Sequence, residues 1–102
     1  MDTSSLAVED QNALRSVMEY WAARWDGECP TLFGIEIDEL NRVLASWPEV
    51  GRDDQSNVDL ATVGALRELL HGASSQPKDA IEALIGISHS RALILLEYLN
   101  AG

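Results

Sequence analysis

The chain has 102 residues, enough for one modest core, and its 46% hydrophobic and 24% charged content excludes a disordered chain. Seventeen acidic side chains against seven basic ones give a net charge of −10, which repels nucleic-acid phosphates and anionic membranes and favours basic partners. Cys29 is the only cysteine, so a disulfide framework or multi-cysteine metal site is excluded. The first five residues carry no basic, apolar leader, and no apolar run reaches the about 18 residues of a membrane span. The expectation is a single all-α domain over residues 1–102 in the cytoplasm, with residues 1–4 as a flexible tail.

Leu14, Val17, Met18, Trp21 and Trp25 form the first helical stripe, with Arg15, Glu19 and Arg24 on the wet side. Ser4 or Ser5 is the expected cap, and the helix ends before Gly27 in the break Asp26-Gly27-Glu28-Cys29-Pro30. A turn at residues 31–34 leads to a second helix with Ile37, Leu40, Val43, Leu44 and Trp47 on one side, stopped by Pro48. Residues 49–56 are polar, lack a period and read as an exposed loop containing Gly51.

Ser56 and Asp59 have capping-box spacing and open a third helix bearing Leu60, Val63, Leu66, Leu69 and Leu70, closed by Gly72. Gly64 inside it costs about 1 kcal/mol of helix propensity, which close approach of a neighbouring helix would explain. After a loop at residues 73–76, Pro77 suits the first position of a short fourth helix carrying Ala80, Ile81, Leu84 and Ile85 up to Gly86. Ser88 caps a fifth helix running towards Asn100. These segments predict a compact bundle of four to five helices.

The fifth helix is apolar nearly all round. Ala92, Leu95, Leu96 and Leu99 form a core stripe, while Ile94, Tyr98 and Arg91 fall on a second face and Leu93 on a third. Either this helix is central and surrounded, or Arg91, Leu93, Ile94 and Tyr98 meet a partner or a second copy. The composition of that second face matches interfaces.

The acids are concentrated. Residues 26–59 hold nine of them against Arg42 and Arg52, so this third of the chain carries −7 of the −10. Asp26, Glu28, Glu36, Asp38, Glu39, Asp53 and Asp54 are the candidate residues of an acidic surface for a basic protein patch. Their alternative role is a solvated face that favours helix N-termini.

Chemistry-bearing patterns are sparse. Glu68-Leu69-Leu70-His71 has the Glu-x-x-His spacing of di-iron bundles, but His89 has no glutamate three residues before it to complete a second pair. Residues 53–59 lack the glycine and bidentate glutamate of a calcium loop. No catalytic residue, metal ligand or cofactor site is expected, and the chain does not read as an enzyme. Residues 81–90, Ile-Glu-Ala-Leu-Ile-Gly-Ile-Ser-His-Ser, resemble a helix-turn-helix, with glycine in the turn and a second helix opening after it. That resemblance implies a transcriptional regulator using residues 77–99. The sequence departs from it at Glu82, and the recognition helix offers Arg91 as its one cation before turning apolar.

The expected function is a non-enzymatic, acidic protein-binding module that inhibits or sequesters one partner. Antagonist, antiactivator, immunity protein and negative regulator are the roles it fits. A homodimer is one expected assembly; neither a membrane nor nucleic acid is an expected partner.

Overall fold

The computed structural model describes residues 3–50, 52–72 and 76–101. They form an all-α bundle with α1 (Val8–Ala23), α2 (Cys29–Phe33), α3 (Ile37–Ser46), α4 (Gln55–His71), α5 (Lys78–Ile85) and α6 (His89–Ala101). No strand occurs among the described residues. Single 3-10 turns at Thr3–Ser5 and Arg52–Asp54 precede α1 and α4.

The centre of the bundle is α4, which touches α1, α2, α3 and α6. Its buried side is Val58, Ala61, Thr62, Ala65, Leu66, Leu69 and Leu70, and the Thr62 hydroxyl donates to the Val58 carbonyl one turn back. The expected stripe therefore needs correcting at its start, because Leu60 points outward and Val63 is only half-buried. From α1 come Leu14, Val17, Met18 and Trp21, and the Trp21 indole N–H donates to the Ala65 carbonyl at 2.9 Å. From α6 come Ala92, Leu95, Leu96 and Leu99, the four residues of the expected core stripe. α4 is the surrounded helix, whereas α6 packs against α4 and α5 and leaves Ile94 and Tyr98 exposed.

The helix count exceeds the expectation because α2 occupies the segment read as a turn. Five residues are too few for a period to emerge. Its anchor is Phe33, which stacks on Trp25 with ring centroids 5.2 Å apart and meets Trp21 edge-on at 5.7 Å. Gly64 of α4 makes room for it: a Cβ there would stand 2.7 Å from the Phe33 ring. The glycine serves a close helix contact.

Helix ends follow local chemistry. Ala7 holds the cap position of α1 in place of Ser4 or Ser5, which lie in the first 3-10 turn. Asp54 precedes α4, so Ser56 sits within its first turn instead of capping it. Gly34 and Gly86 end α2 and α5 in the left-handed region, with φ of 76° and 82°. Ser88 does cap α6, its hydroxyl accepting the Arg91 N–H at 3.2 Å. Pro77 stands one residue outside α5. Gly51, three residues of the expected loop at 73–76, and residues 1 and 2 of the expected tail lie outside the described residues.

Thr3, within the segment expected as a tail, packs against the bundle. Thr3 is buried, its hydroxyl donates to the Pro48 carbonyl, and its own carbonyl accepts the Gln11 side-chain amide at 2.9 Å. The Trp47 indole N–H donates to the Gln11 carbonyl at 3.0 Å. These bonds tie Thr3 to α1 and to the segment after α3.

Candidate functional site

Two surfaces gather the residues singled out in the sequence. The first follows the flank of α4. Cys29 begins α2 beside Glu68 and Gly72 at the end of α4; Arg67 donates to the Leu32 carbonyl at 3.0 Å; Gly34 lies against Leu60. α2 thus runs back along α4 towards its start. There α3 takes over, and its Arg42 pairs with Asp54 at 3.3 Å. At about 1.5 Å per residue, the 17 residues of α4 set the length of this flank near 25 Å.

Asp26 and Glu28 stand at one end of it, Glu36, Asp38 and Glu39 open α3, and Asp53 and Asp54 occupy the other end. The acids are thus strung along an edge and do not converge on a point. Several of them have local duties. The Glu39 carboxylate accepts the Glu36 N–H at 2.8 Å, one half of a capping box. The Asp26 carboxylate accepts the Glu28 N–H at 2.9 Å. Arg42 neutralises Asp54, whereas among the described side chains no cation pairs with Asp26, Glu28, Glu36, Asp38 or Glu39.

At the α4 terminus this flank is hollowed. A recess of about 310 Å³ is lined by Trp21, Asp26, Glu28, Cys29, Leu32, Glu68 and Gly72. Three carboxylates border it, and the last turn of α4 adds the negative end of a helix dipole. Burial pushes the Cys29 thiol pKa up, so the sulfur stays protonated and unreactive in neutral solution. Leu32 and Leu60 are the exposed large apolar side chains along this edge. Both escaped the sequence reading, Leu32 because it lay in an assumed turn and Leu60 because it fell within an assumed core stripe.

The second surface is the outer side of α6. Ile94 and Tyr98 are 67% and 58% exposed, while Leu93 is half-buried against the core. Arg91 reaches across to α1, pairing with Asp10 at 3.1 Å and Glu9 at 3.9 Å. Between them lies a groove of about 340 Å³ lined by Ser5, Leu6, Ala7, Asp10, Arg91, Ile94, Leu95 and Tyr98. The sequence pattern exposed the α6 wall of this groove. The opposite wall comes from residues nearly ninety positions away, which no local period could join to it.

No protein-family model, curated protein or solved structure matches this chain.

Other chemistry finds little support in the geometry. Among the described residues no group of three or more His, Cys, Asp or Glu side chains is placed to hold a metal ion. Glu68 pairs with Arg67 at 3.5 Å, and His71 is exposed at the end of α4. Asp53 and Asp54 belong to a 3-10 turn, with Asp54 accepting from Asn57 at 3.3 Å. No helix of the described residues is long and apolar enough to cross a membrane.

Proposed function

We propose that this chain is a non-enzymatic binding module that recognises a basic protein and inhibits or sequesters it, in the manner of an antagonist, antiactivator or immunity-type factor. The observation that carries this reading is the carboxylate-bordered recess at the end of α4. A lysine or arginine side chain entering it would meet Asp26 and Glu28, the Glu68 carboxylate that Arg67 already pairs, the carbonyl end of α4 and the apolar wall of Trp21 and Leu32. Further along the flank Arg42 pairs with Asp54, while Glu36, Asp38 and Glu39 pair with no cation among the described side chains and remain available to steer a basic surface into place. Leu32 and Leu60 add apolar contacts between the charges.

The test is capture from the native host on immobilised wild type and on the Asp26→Lys/Glu28→Lys variant. Wild type should retain a protein with a basic surface, eluted by salt, and the variant should lose it. Equal capture by both proteins contradicts the recess as the recognition point.

One observation favours a second reading, a helix-turn-helix regulator. Gly86 in the left-handed region and the Ser88 cap join α5 to α6 as such a motif requires. Against it, the would-be recognition helix presents Ile94 and Tyr98, and its one arginine is already bridged to Glu9 and Asp10. DNA retardation that weakens steeply with salt would favour this second reading.

A further inference from the structure

We propose that the groove between the N-terminal turn and α6 receives the same face of a second copy of this chain, making a weak two-fold dimer. This assembly goes beyond the binding of a basic partner and uses a different surface. Among the described residues the three most exposed large apolar side chains are Ile94, Val8 and Tyr98. Ile94 and Tyr98 both line the groove, together with Leu6 and Leu95. Such a concentration at one place is unlike the scattered single exposures of an ordinary surface.

Shape favours a copy as the occupant. Ile94 and Tyr98 stand one helical turn apart beside the hollow, so the same patch offers both projections and a cavity. A two-fold interface needs that self-complementarity, because each patch meets itself. Charge points the same way. Copies of net charge −10 repel one another, and the −7 carried by residues 26–59 bars contact along the α4 flank. The groove is lined by one acid and one base, Asp10 and Arg91, already paired at 3.1 Å. It is a nearly neutral, apolar place where like-charged copies can meet, whereas a basic partner is drawn to the other flank. Only eight residues line it, against the about 20–30 per side of a standard interface, so the dimer is concentration-dependent.

Sedimentation equilibrium of the full chain at low and high salt tests this. A monomer–dimer equilibrium is expected whose dimer strengthens with salt as the repulsion is screened, opposite in sign to the binding of a basic partner. Ile94→Asp should weaken it at least about tenfold with the circular dichroism unchanged. Tyr98→Glu supplies the same test should Ile94→Asp not fold, and Leu84→Asp, outside the groove, should leave the dimer intact. A chain monomeric at every attainable concentration in both salts overturns the proposal. So does a dimer that loosens with salt, or one of wild-type strength in the Ile94 and Tyr98 variants. Because the capture experiment reads the α4 flank, either idea can fail without the other.

Discussion

The α4 flank and the outer side of α6 are both exposed, yet opposite physics makes them candidates for contact. Along α4, carboxylates outnumber cations and the apolar exposure is limited to Leu32 and Leu60. On α6 the apolar exposure is largest, and the one cation is held by two acids from α1. The first surface attracts from a distance and loosens with salt; the second binds by excluding water and gains from salt when the partner is another acidic chain. A single chain can therefore hold two contacts that solution conditions tell apart.

The two surfaces also depend on different parts of the fold, and substitutions can separate them. The largest effect should come from Phe33→Ala, which removes the anchor of α2. A loss of about 3–5 kcal/mol in urea unfolding is expected, and in the residual native state the recess should lose its form while the α6 groove persists. Gly64→Ala tests the same contact from the other side. The gain in helix propensity, about 1 kcal/mol, is opposed by about 1–3 kcal/mol of overpacking against the Phe33 ring. A net loss near 1 kcal/mol is expected, turning to a gain when Phe33 is also truncated.

On the α6 side, Ser88→Ala removes the cap and should cost about 1 kcal/mol, leaving the acidic flank unchanged. Arg91→Gln is the smallest of these. Its ion pairs are 45% exposed on the arginine side, so unfolding should shift by less than about 1 kcal/mol. Chemical-shift changes on that variant should be confined to α6 and the first turns of the chain; spread into α2 or α3 would show the two surfaces to be coupled.

Much of α6 was legible in the sequence because a thirteen-residue helix spans several turns. Its core stripe separates cleanly from Ile94 and Tyr98, and Ser88 stands where a cap belongs. Gly64 was legible as a sign of close approach, though what approached it was not. α2 was hidden because Phe33 is held by partners on α1 and α4, and five residues give no period of their own. The recess and the groove were hidden for a related reason. Glu68 joins Asp26 and Glu28, and Leu6 and Ala7 join Ile94, only through tertiary packing. The acidic bias of residues 26–59 could be counted, but its form as an edge along α4 could not.

If the acidic flank recognises a basic partner, charge must set how fast the two meet. The most direct test is the association rate of the captured protein against salt, measured on wild type and on the Glu36→Lys/Asp38→Lys/Glu39→Lys variant. Reversing these acids also disturbs the start of α3, so the variant's helicity is checked first. The wild-type rate should fall steeply as salt rises, and the variant should be slower by about tenfold at low salt with little salt dependence. Rates that are equal for the two proteins and indifferent to salt would contradict such recognition.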